Sequence, residues 1–141
     1  MASDELDKVE LPALEQLQSL GWSYVEGAKL SPDESDERSS LKDVVLEKRL
    51  TESLKRINPW INDENLRKVV RDLTKTLYPN LVEANQAIWA QINQSVSVMQ
   101  DLGKGNKGQT VHTIEVENTD NNEFLCTKQA KVSGVQLNSN P

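Results

Sequence analysis

The stretch SLKDVVLEKRLTESLKRINPWINDENLRKVVRDLTKTL, residues 40–77, contains two amphipathic segments separated by a short break. In the second segment, leucines and valines recur with a period close to 3.6 residues, which predicts a helix that begins at Asn62 and buries one apolar stripe. The first segment predicts a helix from Ser40 to about Ile57, because Ser40 and Asp43 match a variant of the capping box. The helix ends there because the chain continues with Asn-Pro, and a residue before proline resists helical dihedral angles.

The residues that follow this stretch change from helical to strand periodicity. A further helix is expected from about Leu81 to Asn93. Polar and apolar residues then alternate in SVSVM (95–99) and TVHTIEV (110–116), and the glycines between them favour a hairpin connection. FLCTKQAKV (124–132) is expected to be a third strand. Helices followed by a β-meander predict an α+β (mixed α/β) domain.

The residues that precede the stretch predict one more helix and a loop. LPALEQLQSLGW (11–22) is typical of a helix that ends at Gly21, and WSYVEG (22–27) of a short extended segment. Residues 27–40 are polar and rich in turn-forming residues, so we expect a mobile loop. The sequence therefore predicts an acidic arm over residues 1–40, with a first helix and a mobile loop, and a second domain over 41–141.

The composition limits the classes of function. The 141 residues carry a net charge of −6, but residues 38–80 alone carry +4, which allows contact with a polyanion and equally describes an ordinary solvated helix face. The segments before and after this block carry −8 and −2. A single cysteine and a single histidine cannot form an internal disulfide or a structural zinc site, and a cytoplasmic location fits. No apolar run approaches the length of a membrane span.

Glu47 is the one unusual polar residue of the predicted helices. On a helical wheel of 100° per residue it lies roughly 100° from Leu46, between Leu54 and Val44 and so within an apolar arc. A carboxylate in that position must be paired, bound to a cation, or raised in pKa. The alternative is a glutamate at the rim of the core that reaches a surface lysine or arginine.

Other polar residues give weaker indications. His112 shares a strand face with apolar residues and is expected to be packed, and Cys126 is expected to be a small core residue. Gln129 is expected in a strand with its side chain outward. The tryptophans are expected to be packing residues. The glycine-rich GKGNKG segment lies between two strands and lacks the strand-loop-helix order of a phosphate-binding loop.

Four blocks of the sequence together resemble a known family. They are LEQLQSLGWSYVEG (14–27), LKDVVLEKRLTESLKRINP (41–59), YPNLVEANQAIW (78–89) and NNEFLCTKQAKV (121–132). In this order they resemble the N-terminal region of the restriction (R) subunit of type I restriction–modification enzymes. The resemblance extends from about Leu14 to Val132.

The resemblance implies a fold, an activity and partners. In that family the region belongs to a PD-(D/E)xK nuclease domain that cuts double-stranded DNA with Mg²⁺, and motor domains that use ATP follow it. The R subunit works in the cytoplasm with a methylase (M) and a specificity (S) subunit. Residues 41–141 would then be the front part of an incomplete restriction-endonuclease-like fold.

The resemblance also carries roles onto individual residues. Glu47 matches an early-helix acid that supports the metal site and is a candidate metal ligand. Gln129 matches a strand glutamine near the active site, and Lys48, Arg49 and Lys128 are the predicted DNA contacts. The sequence departs from the family pattern at two positions, with Ala130 in place of a bulky aromatic residue and Glu115 in place of an aspartate.

The chain is expected to lack both the Pro-Asp pair and the acid-x-Lys strand of the family, and the resemblance puts the remaining catalytic residues after Pro141. Residues 1–141 alone are therefore expected to be an inactive fragment that needs no cofactor, whereas the parent would need Mg²⁺ and ATP. One alternative is a stand-alone, non-catalytic module that binds DNA or a protein through its basic helices, around Arg49, Arg56, Arg67 and Arg71. Another is a purely structural adaptor.

Overall fold

The computed structural model describes residues 6–75 and 80–133, and within them the chain has an α+β architecture, as predicted. The α-helices are α1 (Leu11–Ser19, preceded by a π-helical turn, Leu6–Glu10), α2 (Glu47–Ile57), α3 (Asp63–Thr74) and α4 (Leu81–Gln94). The strands are β1 (Ser23–Tyr24), β2 (Val96–Asp101), β3 (Asn106–Val111) and β4 (Leu125–Cys126). Short 3₁₀ turns span Gly27–Leu30 and Thr119–Asn121. None of the described helices is long and apolar enough to cross a membrane.

The chain divides into two compact units. The first, here called the terminal unit, combines Met1–Leu46 with Glu123–Pro141, and the second, the central unit, is Glu47–Asn122. The units reflect packing within each group of residues. The boundary predicted at residue 40 divides an acidic arm from a nuclease-like domain, which is a different kind of division, and it stays a prediction.

The central unit is built on the apolar stripe that its sequence predicts. Helix α2 packs on α3, and α3 packs on β2. Asn62 caps α3 by accepting a hydrogen bond from the Asn65 amide at 2.8 Å, and Asp63 and Glu64 in the first turn favour the positive end of the helix dipole. The buried core comprises Leu54, Ile61, Leu66, Val69, Val70, Leu73, Val98 and Val111. Each fully buried side chain of this type contributes about 1.5–3 kcal/mol.

Helix α2 begins at Glu47, so the start predicted at Ser40 is wrong. The capping hydrogen bonds do form, since the Ser40 amide donates to Asp43 Oδ2 and the Asp43 amide donates to the Ser40 carbonyl, both at 3.1 Å. They close only an isolated turn. The Asp43 carbonyl, which in a helix would accept from the amide four residues later, instead accepts from Arg38 Nη1 at 3.1 Å.

Helix α4 follows its predicted course but buries little of its apolar surface. Asn80 caps it by accepting from the Glu83 amide at 2.9 Å. Ala84 is its one buried residue among those described, and Trp89 is 69% exposed. The expectation that the tryptophans are packing residues is therefore wrong for Trp89.

Strands β2 and β3 form a hairpin, as predicted, but its connection is shorter than predicted, because β2 continues to Asp101 and β3 already begins at Asn106. They are antiparallel, with Val96 opposite Val111 and Asp101 opposite Asn106. In the connection, Asp101 Oδ1 accepts from the amides of Gly103 and Gly105, at 2.7 and 3.1 Å. Both glycines have positive φ, 110° and 91°, which is why this tight turn needs them.

Strand β3 ends at Val111, before the predicted end at Val116. The cause is Asn58, whose side chain is fully buried. Its Oδ1 accepts from the His112 amide at 2.9 Å, and its Nδ2 donates to the His112 carbonyl at 2.8 Å and to the Leu54 carbonyl at 2.9 Å. The backbone of His112 therefore bonds to the end of α2, and its side chain is exposed rather than packed as predicted.

The terminal unit contains a parallel strand pair that the predicted meander did not include. Ser23 lies opposite Leu125 and Tyr24 opposite Cys126, and the Ser23 amide donates to the Phe124 carbonyl at 2.8 Å. The third predicted strand is thus two residues long and pairs with β1 instead of continuing the hairpin, so the meander is wrong. Cys126 is buried, as predicted.

The polar segment 27–40 makes specific contacts within the terminal unit. The Arg38 side chain is 4% exposed and donates to three backbone carbonyls, those of Leu30 at 2.9 Å, Asp43 at 3.1 Å and Lys131 at 2.9 Å. Gly27 lies so close to residues 128–130 that a Cβ would meet the Lys128 carbonyl oxygen at 2.3 Å. The predicted mobility of this segment stays a prediction.

Candidate functional site

Glu47 is the first residue of α2, and its side chain is exposed. The predicted apolar surroundings are wrong, because the helical wheel assumed that Val44 and Leu46 belong to the same helix. Both precede its first turn, and Val44 is 75% exposed. The role of Glu47 in a metal site stays a prediction.

Glu47 lines a cavity of about 400 Å³ within the central unit. The other lining residues come from the second turn of α2 and from the part of α3 between its second turn and its C-cap: Thr51, Arg67, Val70, Arg71, Thr74 and Lys75. A cavity of this volume lies in the range of small-molecule binding sites. The two helices alone therefore form a concave site.

The lining of this cavity is cationic. Arg67, Arg71 and Lys75 oppose the single carboxylate of Glu47, which leaves a net formal charge of +2. Arg67, Arg71 and Lys75 are exposed, so their charges face water at the cavity. This charge favours an anion over a free metal ion.

The two threonine hydroxyls of the lining already donate hydrogen bonds. Thr51 Oγ1 donates to the Glu47 carbonyl, and Thr74 Oγ1 donates to the Val70 carbonyl, both at 2.8 Å. Each hydroxyl has only one hydrogen to donate. The guanidinium and ammonium groups are therefore the donors available to a ligand.

Lys48 and Arg49 follow Glu47 on α2 but do not belong to the cavity. Lys48 is exposed and Arg49 is half-buried, and neither is among the described residues that line the cavity. The structure does not bring these two predicted DNA contacts together with Glu47 in one concave site. Their role stays a prediction.

Gln129 and Lys128 lie in the terminal unit. The predicted strand position of Gln129 is wrong, since its φ is 53° and it lies beyond the end of β4. Its exposed side chain donates from Nε2 to Glu10 Oε2 at 3.2 Å. Lys128 is half-buried, with its carbonyl against Gly27. The roles assigned to both residues stay predictions.

The described residues contain no cluster of three or more histidine, cysteine, aspartate or glutamate side chains placed to hold a metal ion. The expectation that the chain lacks a Pro-Asp pair is wrong, since one occurs at Pro32–Asp33, in the polar segment between α1 and α2. Ser31 Oγ donates to Asp33 Oδ1 at 2.6 Å, and this hydrogen bond holds the pKa of the exposed Asp33 carboxyl below its ordinary value. The pair does not fit the family order, in which the acid follows the strand with the glutamine. Pro141 lies outside the described residues.

Sequence reasoning named Arg67 and Arg71 only as members of a basic helix and missed Lys75 altogether. Their spacing of four residues was the available signal, because residues at i, i+4 and i+8 lie on one helix face. Arg38 was also missed. No local pattern marks a buried arginine whose acceptors lie far apart in the sequence.

Comparison with known proteins decides the family. Residues 3–140 match the family model described as the type I restriction enzyme R protein N terminus. The chain belongs to this family. It is 32% identical over 124 residues to a protein of Methanocaldococcus jannaschii assigned as the type I restriction enzyme MjaIXP endonuclease subunit. It is 30% identical over 125 residues to the type I restriction enzyme HindI endonuclease subunit of Haemophilus influenzae.

Both alignments cover 88% of this chain but only 12% of each relative. The chain thus spans about an eighth of the length of these R-protein relatives. No solved structure gives a significant match. The family resemblance seen in the sequence blocks is confirmed.

Proposed function

We propose that this chain is the front part of the nuclease domain of a type I restriction enzyme R subunit. The complete subunit cleaves and translocates double-stranded DNA, using Mg²⁺ and ATP, in a cytoplasmic complex with the M and S subunits. The observation that carries the proposal is the match along residues 3–140 to the R protein N terminus, shared with relatives named as endonuclease subunits.

Within this proposal, Glu47 supports the metal site. Carboxylate oxygens are the ligands that Mg²⁺ prefers, and Mg²⁺ keeps several waters and shares its shell with substrate phosphates. The exposed Glu47 carboxylate lies at a cavity of positive net charge, so a bare cation binds there weakly. A phosphate group in the cavity offsets that charge and adds ligands, which makes metal binding depend on DNA.

The proposed site includes four residues in addition to Glu47: Gln129, Lys128, Lys48 and Arg49. Lys48 and Arg49 carry positive charge beside Glu47 on α2 and contact the DNA backbone, as does Lys128. Gln129 lies near the active site. The acid-x-Lys residues that activate the attacking water follow Pro141 in the complete protein, so residues 1–141 alone do not cleave DNA.

The proposal is tested with the longer protein that carries this chain, assembled with its M and S subunits. Glu47→Gln is expected to reduce cleavage of a supercoiled plasmid at least a hundredfold while ATP hydrolysis continues. The matched control is Glu52→Gln, which changes the same type of side chain on the exposed face of α2, outside the cavity lining. Unchanged cleavage by Glu47→Gln overturns the role of Glu47.

The reading frame after the codon for Pro141 tests the proposal that this chain is a fragment of a longer subunit. An aspartate followed by a strand with an acid-x-Lys pattern supports it, and a stop codon overturns it. Robust nicking of DNA by residues 1–141 in Mg²⁺ overturns it as well.

The second candidate function is a non-catalytic module that binds DNA or a protein partner through its basic helices. The observation in its favour is that Arg67 and Arg71 line one cavity together. The stop codon described above decides for this candidate.

A further inference from the structure

Helix α3 presents a row of three basic side chains on one face. Arg67, Arg71 and Lys75 are spaced four residues apart, about 6 Å along the helix axis for each step. The ion pair recorded on α3 is Lys68 with Asp72, at 3.9 Å. Among the described residues, the structure records no ion pair for the three members of the row.

Stability of the helix does not account for this row. Like charges at i and i+4 destabilise a helix by about 0.2–0.5 kcal/mol for each pair. Arg71 and Lys75 lie near the negative end of the helix dipole, and this attraction offsets the repulsion between their charges. Arg67 lies in the middle of α3, beyond the reach of that effect, and only its i,i+4 spacing from Asp63 favours it locally.

The three basic side chains of the row share one cavity. All three cations line it, its two hydroxyls donate to backbone carbonyls, and the buried Val70 provides its apolar part. Paired guanidinium N–H groups match the geometry of phosphate oxygens, and an ammonium adds a point charge. The lining therefore suits a tetrahedral oxyanion that two arginines and a lysine hold from one side.

We infer that this cavity binds a phosphate group of a DNA backbone. The choice of DNA over another phosphate source rests on the proposed function, whereas the cavity and its charge do not. Such a contact positions the duplex and carries no sequence information, which agrees with a part of the enzyme that does not read the target. Bound phosphate also lowers the positive charge beside Glu47.

The first experiment measures binding without metal. A short fluorescent duplex is titrated with residues 1–141 in EDTA, followed by fluorescence anisotropy. The double variant Arg67→Gln/Arg71→Gln is expected to weaken binding about tenfold or more, and the slope of log K against log salt to fall by about 0.9 for each lost phosphate contact. The control Lys68→Gln removes one positive charge, half of what the double variant removes, from the same helix outside the cavity, and is expected to change binding less than twofold.

Glu47→Gln provides a result of opposite sign. Loss of the carboxylate raises the charge of the lining, so duplex binding in EDTA is expected to tighten about twofold to threefold. Inorganic phosphate in the millimolar range should shift the NMR amide signals of residues 67–75 in the parent chain and not in the double variant. Circular dichroism tests whether each variant is folded. We expect all of them to fold, because the replaced side chains are exposed.

Three results overturn the inference. They are equal losses in the double variant and Lys68→Gln, weaker binding in Glu47→Gln, and displacement of the duplex by equimolar metal-free ATP, which would assign the cavity to a nucleotide. The binding experiment contains no metal and measures no cleavage. A negative result would therefore contradict the phosphate site without contradicting the proposed nuclease role. That role is measured by plasmid cleavage in the longer protein.

Discussion

The central and terminal units are stabilised by different kinds of contact. The central unit has a cluster of eight buried aliphatic side chains from α2, α3, the hairpin and the α2–α3 connection. The terminal unit buries Leu14, Leu30 and Cys126, and its distant segments are joined by the Trp22–Phe124 ring contact, the Arg38 hydrogen bonds and the parallel strand pair. Apolar packing stabilises a fold in proportion to the apolar surface area that it buries, whereas hydrogen bonds stabilise only where donor and acceptor are correctly placed.

This contrast has a consequence for substitutions. Shortening a core side chain should lower the free energy of unfolding of the central unit in proportion to the cavity left behind. Disturbing one donor or one close backbone approach should open the terminal unit locally, because few apolar contacts remain there to compensate.

The largest effect is expected from Leu54→Ala. Leu54 is 1% exposed in the core of the central unit, and truncation of a buried leucine costs about 2–5 kcal/mol. Urea unfolding followed by tryptophan fluorescence, to which Trp60 at the core contributes, measures the loss. The control is Leu81→Ala, at a leucine that is 80% exposed, for which less than about 0.5 kcal/mol is expected. Equal losses would contradict the assignment of the core.

The next effect is expected from Arg38→Met. The variant keeps much of the side-chain volume but removes all three donors, and an unsatisfied buried carbonyl costs about 1–3 kcal/mol. Amide hydrogen exchange should accelerate at Val25 and Ser133, whose amides bond to Cys126 and Leu41 within the terminal unit. Arg38→Lys retains the charge without the guanidinium fork and should give an intermediate acceleration. Unchanged exchange in Arg38→Met would show that these hydrogen bonds do not stabilise the unit.

A smaller effect is expected from Gly27→Ala. The added methyl group would meet backbone atoms of Lys128 and Ala130 at 2.3–2.7 Å, and backbone has little freedom to retreat. Overpacking of this kind costs about 1–3 kcal/mol, and amide exchange of the terminal unit measures it. Gly108→Ala is the control, because its nearest neighbour is the flexible Ser97 side chain at 3.3 Å. A stable Gly27→Ala would contradict the close approach.

The smallest effect concerns pH. The hydrogen bond from Ser31 lowers the pKa of Asp33, so the stabilisation it provides is present above the pKa of the unfolded chain and is lost as pH falls through the lower folded value. Ser31→Ala should raise the pKa of Asp33 toward its ordinary value, which NMR titration of the Asp33 carboxyl measures. An unchanged Asp33 titration would contradict the hydrogen bond.

Within the central unit, the sequence predicted the features that depend on local contacts. The stripe of α3, its cap at Asn62 and the glycines of the hairpin each act within a few residues. The early end of β3 could not be predicted, since it depends on Asn58, which lies 54 residues away from His112. The candidate site followed the same rule. Glu47 was selected from a helical wheel whose apolar neighbours are not part of α2, and the cavity that it lines requires α2 and α3 to lie side by side.

The sequence by itself determined the family, most of the order of helices and strands, and the apolar face of α3. Periodicity and capping are local properties, and the family blocks are read directly from the residues. Only the tertiary structure decided that α2 starts at Glu47, that β4 pairs with β1, and that three cations surround one cavity. Each of these depends on a partner distant in the sequence, such as the Arg38 guanidinium that takes the Asp43 carbonyl. Local patterns cannot specify which distant donor a backbone carbonyl will accept from.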